Sequence, residues 1–324
     1  MPLSLRAALE GQITDKMTIP ALVAAADSVS RRYRRDTGGG NVQIRSREEA
    51  MAYVLARMPA TYAAVTRVLT ELQRVLPDFA PRNVLDMGAG PGTATLAVSQ
   101  TYDLMSYYLV EPNPYLRGIG QDMVAPFWGI PSQTEWLPSR VEDVVLRKDA
   151  QFDLVVASYV FNEVPEHSVV RHVESLWSSC AGVLVLLEPG TPQGAGVIGR
   201  IRSAAMSWEG AHILAPCPHA DQCPLHENDS AWCHFSVRTS RTKLHKTLKG
   251  GDAGFEDEKF SYIILSRVPA ASRPAYRLIG HPSGTKLREL QVCGPNGAET
   301  LQVSKSHPLH KRSKKLEWGD GCDV

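Results

Sequence analysis

The chain has 324 residues, 43% of them apolar, enough for a full core in one large domain or two smaller ones, and its net charge of +1 carries no message about partners. No run of 18 apolar residues is present, so no membrane span is expected, and the opening Met1-Pro2-Leu3-Ser4-Leu5-Arg6 lacks the apolar core of a signal peptide. A soluble cytoplasmic protein is the expectation, and there the six cysteines read as metal ligands or free thiols rather than disulfides.

Residues 1–80 read as helical. Arg31, Arg32, Arg34 and Arg35 surround Tyr33 and precede Gly38-Gly39-Gly40. This basic knob is either a solvated helix end or a contact to RNA phosphates, with Tyr33 available to stack on a base. Ser46-Arg47-Glu48-Glu49 has the form of a capping box. Apolar residues then recur at helical spacing through Leu76, with a break expected near Pro59.

Residues 83–93 are the most informative stretch. An apolar strand, Val84-Leu85, ends in Asp86; Gly88, Gly90 and Gly92 follow at every second position, and a helix opens at Thr93. Glycines let a ligand approach the main chain, and the following helix offers free N–H groups and the positive end of its dipole. The spacing differs from the dinucleotide fingerprint G-x-G-x-x-G and lacks the Lys-Ser/Thr of a phosphate loop. It resembles motif I of class I S-adenosylmethionine (SAM) methyltransferases. Tyr107–Val110, Phe152–Ser158 and Val183–Leu187 are further apolar strands, with helical character over 112–124 and 166–178. Such alternation predicts a parallel α/β sheet covered on both faces, with the ligand at the carboxyl ends of its strands. By the resemblance, Glu111, at the end of the second strand, would hold the ribose hydroxyls, and Asp143, in Val141-Glu142-Asp143, would lie near the adenine.

The pattern changes at residue 211. Cys217, Cys223 and Cys233 fall within a Pro- and His-rich segment, with Cys293 far downstream. Four thiolates suit a structural zinc, but zinc sites usually contain C-x₂₋₄-C knuckles, which this chain lacks. Iron–sulfur clusters also take four thiolates over more varied spacings, and His212, His219, His226 or His234 could replace one cysteine. Residues 258–304 read as β structure: Phe260–Ser266 is an apolar strand and Gly294-Pro295-Asn296-Gly297 marks a hairpin. The segment 305–315 carries Lys305, Lys311, Arg312, Lys314 and Lys315 and no acid. The organisation expected is an N-terminal helical region (1–80), a SAM-binding methyltransferase-like core (81–210), and a part (211–324) holding the Cys-rich metal-cluster insert, β strands and basic tail.

The glycine loop recurs in one family together with Phe161-Asn162-Glu163-Val164-Pro165, Glu188-Pro189-Gly190-Thr191-Pro192, the series Cys217-Pro218-His219, Cys223-Pro224 and Trp232-Cys233, and the closing Trp318-Gly319-Asp320. The chain resembles the mitochondrial small-ribosomal-subunit assembly proteins of the methyltransferase-like protein seventeen type and their bacterial relatives. The resemblance implies a class I methyltransferase fold with an inserted [4Fe-4S] site ligated by Cys217, Cys223, Cys233 and Cys293. It also implies association with the small ribosomal subunit and its rRNA. Cys180 and Cys322 fall outside that set; the first reads as a buried residue before a strand, the second as a tail thiol.

Amino-directed methyltransferases place Asn/Asp-Pro-Pro-aromatic after the fourth strand, where this chain has Ser158-Tyr159-Val160-Phe161-Asn162-Glu163. Asn162 and Glu163 are the polar candidates for catalysis, without the two prolines. Three functions therefore stand: an rRNA methyltransferase, a non-catalytic iron–sulfur RNA-binding assembly factor, and a small-molecule methyltransferase with a structural zinc. The basic knob and tail (Arg31, Arg32, Arg34, Arg35, Lys311, Arg312, Lys314, Lys315) conflict with the last.

Overall fold

The computed structural model describes residues 1–13, 17–35, 44–129, 133–146, 149–225, 231–295 and 297–323. Gly38–Gly40, His226 and Asn296, singled out above, lie outside the described residues, as do the side chains of Tyr33, Arg34 and Arg35.

Three helices lead: α1 (Leu3–Glu10), α2 (Ile19–Arg35) and α3 (Arg47–Val75). Then come β1 (Asn83–Met87), α4 (Thr93–Ser99), β2 (Ser106–Val110), α5 (Pro114–Ile119), β3 (Gln133–Leu137), β4 (Phe152–Ser158), α6 (Glu166–Ser178), β5 (Cys180–Pro189) and α7 (Pro192–Ala205). β6 (His212–Ala215), β7 (Phe235–Ser240), α8 (Lys243–Lys249) and β8 (Phe255–Ser266) follow. The chain closes with β9 (Tyr276–Leu278), β10 (Arg288–Gly294), β11 (Gly297–Val303), α9 (His310–Ser313) and β12 (Gly321–Cys322).

The main sheet runs β3-β2-β1-β4-β5-β8-β6, with β7 also on β8. β1 to β5 pair in parallel, and β8 runs antiparallel to its neighbours. This is the doubly wound order of a class I methyltransferase-type sheet, with its crossover between β1 and β4. The central strands read as unbroken apolar runs because both faces are covered. Along β5, Val183, Val185 and Leu187 enter the core shared with α3 and α4, while Leu184 and Leu186 enter the one shared with α6 and α7.

The expected boundary at residue 210 does not divide this sheet, since β6, β7 and β8 complete it. Phe260 pairs with Pro189 of β5 and Phe235 of β7, and Ile264 with Val185 of β5 and Ala215 of β6. β6 and β7 therefore share the edge of β8 opposite β5. The Cys-rich segment leaves that edge after Ala215 and returns to it at Phe235. A second sheet, β11-β10-β9-β12, holds its own small core around Leu278, Leu290, Val292 and Cys322.

α3 begins as expected, with the Ser46 hydroxyl accepting the Glu49 N–H at 3.2 Å. It does not break at Pro59 but continues for 29 residues. An interior proline costs about 3 kcal/mol. Burial of Val54, Leu55, Met58, Leu69 and Leu72 outweighs it, each such side chain contributing about 1.5–3 kcal/mol. Cys322 is no tail thiol: β12 pairs with β9 and buries it completely.

Candidate functional site

Two cavities carry chemistry. The first, of about 560 Å3, opens at the carboxyl ends of β1, β2 and β4, with α3 across it. Gly88, Gly90, Glu111, Glu142, Tyr159 and Glu163 help to line it. Gly88, Gly90 and Gly92 have φ of +70°, +57° and +82°, a region that side chains rarely adopt. Their surroundings differ. A Cβ on Gly88 would collide with Val160 and one on Gly92 with Trp128, whereas one on Gly90 would meet nothing within 4 Å. Gly88 and Gly92 thus serve close packing, and Gly90 leaves main chain open to the cavity.

Glu111 is 7% exposed and accepts the Gly90 N–H at 2.9 Å and the Asn113 N–H at 2.7 Å. Burial raises its pKa above the usual carboxylate value. Asp86 does not line the cavity. It is fully buried behind the loop, where one oxygen accepts the Thr95 N–H (3.0 Å) and hydroxyl (2.7 Å), and burial pushes its pKa up to about 6. Its Oδ1 has no hydrogen-bond partner among the described residues. Of the acidic pair on the third loop, Glu142 reaches the cavity lining and Asp143 does not.

Sequence reasoning missed Tyr53, Arg57 and Thr61, spaced by four along α3 and all on the lining. That spacing puts one face of α3 over the cavity and was the available signal. Arg57 pairs with Glu258 of β8 at 2.9 Å, and the Tyr159 hydroxyl donates to the same carboxylate at 3.0 Å. Tyr159 has φ +62°, a strained position at the end of β4 with no sequence signal. Glu163 lines this cavity and a neighbouring one; Asn162 lines only the neighbour.

The turn carrying both candidates, Phe161–Glu163, hangs on Glu188, whose fully buried carboxyl accepts the Phe161 N–H at 2.8 Å and the Asn162 N–H at 3.1 Å. Burial pushes the Glu188 pKa from 4.5 up to about 8. The folded state therefore keeps a proton that the unfolded state releases. Its stabilising effect is complete below pH 4.5 and is lost as pH rises through 8. Relative to Glu188→Gln, the native chain should lose about 1.4 kcal/mol per pH unit across that window. Urea unfolding of both proteins at several pH values checks this; a pH-independent difference would contradict it.

The second cavity, of about 250 Å3, is lined by Cys217, Cys223 and Cys233 with Arg202, Pro216, Trp232 and Tyr262. Burial, then Cys217, Cys223 and Cys293, pushes the Cys233 thiol well up; burial, then Cys217 and Cys223, raises the Cys293 thiol to about 12. Among the described residues no three His, Cys, Asp or Glu side chains converge on a single-ion position. Cys293 Sγ lies 3.7 Å from His219 Nε2, and a Cβ on Gly297, at the start of β11, would lie 3.3 Å from Pro224. The hairpin thus packs on the Cys-rich segment. Trp232 Nε1 donates to Gly190 O at 3.0 Å and Ser261 Oγ to Cys233 O at 2.8 Å, tying the segment to β5 and β8. Cys180 lies apart, buried at the start of β5.

Residues 47–323 match the sequence profile of the mitochondrial small ribosomal subunit Rsm22 family. The chain belongs to that family. It is 33% identical over 192 residues to a mitochondrial Rsm22-cox11 tandem protein of Schizosaccharomyces pombe, covering 55% of this chain and 26% of the relative. It is 24% identical over 290 residues to the human mitochondrial ribosome assembly protein METTL17, covering 84% and 62%. The chain thus spans about a quarter of the first relative and under two thirds of the second. A SAM-dependent methyltransferase from Leishmania major aligns at 13% identity and a TM-score of 0.44, over 79% of this chain and 88% of that one.

The closing Trp318-Gly319-Asp320 locks the second sheet to α3. Asp320 pairs with Arg67 at 2.6 Å, and Gly319 O accepts from Arg277 at 2.8 Å. Arg277, 1% exposed, also pairs with Glu71 and donates to Pro216 O at 2.8 Å. Of the basic candidates, Lys311, Arg312, Lys314 and Lys315 are exposed. Arg31 pairs with Asp27 at 3.1 Å, and Arg32 with Glu49 at 2.5 Å and Ser28 at 2.9 Å. Arg32 therefore ties α2 to α3 rather than offering a free charge to RNA.

Proposed function

We propose that this chain is a methyltransferase-like small-subunit assembly factor that binds SAM in the first cavity, a [4Fe-4S] cluster among its four cysteines, and rRNA along its basic tail. The observation that carries the SAM reading is Gly90, open to the cavity beside the buried acceptor Glu111. The cavity volume, about 560 Å3, suits a ligand of that size. Glu111 would accept from ribose hydroxyls and the Gly88–Gly90 backbone would face the amino-acid end. Bound there, SAM would supply an electrophilic methyl group, which transfers once an acceptor is positioned in line.

Cys217, Cys223, Cys233 and Cys293 would hold the cluster. Cys217, Cys223 and Cys233 line one cavity, and a donor set of four cysteines suits an iron–sulfur cluster, which is held by thiolates over varied spacings. The cluster would supply the positive charge that keeps these thiols ionised. Its role here is structural, fixing the Cys-rich segment against the second sheet.

One observation favours binding without transfer: Asn162 does not face the SAM cavity. The test is calorimetry with SAM, then methyl transfer from labelled SAM to small-subunit RNA and RNA affinity against salt. SAM binding is expected, and each glutamine replacing Lys311, Arg312, Lys314 or Lys315 should flatten the log–log salt slope by about 0.7. Label in RNA selects the enzyme; SAM and RNA binding without label selects the assembly factor. Absence of SAM binding contradicts the reading of the first cavity.

A further inference from the structure

Arg202 lies near the end of α7 and is 3% exposed. Its Nε donates to Cys217 Sγ at 3.2 Å, and Nη2 donates to the His219 carbonyl at 3.4 Å and to that of Asp221. Nη1 lies 3.7 Å from Met206 Sδ. Among the described residues no carboxylate pairs with it. A guanidinium stays protonated, and burying one without a counter-charge costs several kcal/mol. Carbonyl dipoles offset part of that. The other deeply buried arginine beside this site, Arg277, has its carboxylate in Glu71. For Arg202 the group in the place of a counter-anion is a sulfur. A sulfur bound to metal is a stronger acceptor than a free thiol, so ligation there would complement Arg202.

We infer that Arg202 is a positioning residue for the cluster: its N–H···S bond orients the Cys217 sulfur as a ligand and raises the cluster's reduction potential. The inference rests on the proposed [4Fe-4S] site. The direction follows from charge. Reduction adds an electron to an already anionic cluster, and a buried cation with a hydrogen bond to sulfur favours the more negative state. Arg202 also holds the backbone at His219 and Asp221, between Cys217 and Cys223, so it presets the spacing of two ligands. Its helix begins where Gln193 Nε2 reaches Asn162 O at 3.5 Å. α7 thus spans from the cysteine cavity to the turn beside the SAM cavity.

The experiment compares the full chain with Arg202→Met and Arg202→Lys, all purified without oxygen. Iron and labile sulfide, the visible spectrum, the midpoint potential and the rate of iron loss to a chelator are measured. Arg202→Met should lower the midpoint potential and speed iron loss at least several-fold. Arg202→Lys keeps the charge but not the guanidinium fork and should fall between, which also guards against a Met variant that fails to fold. If both variants keep the native potential and rate of iron loss, Arg202 is merely structural and the inference fails. A native chain that binds no iron defeats the cluster reading itself, a result distinguishable before any variant is made.

Discussion

Valine at Gly90 is expected to reduce SAM affinity at least a hundredfold while the chain still folds. The new Cβ meets nothing within 4 Å of the protein, so its branches occupy the cavity where ligand and main chain would touch. The φ of +57° adds strain on the order of 1–2 kcal/mol, which a domain of this size tolerates. Alanine at Gly88 or Gly92 should do the reverse. There the Cβ runs into Val160 or Trp128, so overpacking adds about 1–3 kcal/mol to a similar backbone strain. Calorimetry with SAM and urea unfolding separate the cases. If Gly90→Val binds SAM normally, the first cavity is not the SAM site.

Replacing any one of Cys217, Cys223, Cys233 and Cys293 by serine is expected to abolish stable iron binding and to open the Cys-rich segment to protease. That segment has little apolar content, so under the proposal ligand binding and local folding would there be a single free-energy change. Because Pro224 packs on the start of β11, in the sheet that precedes the basic tail, RNA affinity should fall as well. Serine at Cys180 or Cys322 should instead keep iron and lose stability by about 1–3 kcal/mol, since both are fully buried and a hydroxyl there lacks the thiol's apolar match. Equal iron loss from all six variants would mean that iron content reports stability, not ligation.

Much of the sheet was legible because its central strands are covered on both faces and so read as unbroken apolar runs. The helix expected over 166–178 coincides with α6, whose apolar stripe is clean. Two features of α3 resisted reading. Proline is a breaker in local terms, yet tertiary burial carries the helix through Pro59. The face of Tyr53, Arg57 and Thr61 gains meaning only once α3 is seen to cross the cavity. β6, β7 and α8 were hidden in a stretch whose Pro, His and Cys content masks any period, and their order comes from pairing with β8. The spacing of the glycines placed the loop at a strand end, and the reading of Glu111 came from the resemblance. The choice of Asp143 over Glu142 turned on one residue, beyond the resolution of a motif. Arg32 read as a surface charge because its partner Glu49 lies 17 residues further along the chain.

The most direct test of the account is the metal and sulfide content of the native chain purified without oxygen, read with its visible spectrum. The account predicts a brown protein with about four iron and four labile sulfide per chain, bleached by chelator under oxidant with loss of RNA affinity. A colourless protein with one zinc per chain would contradict it.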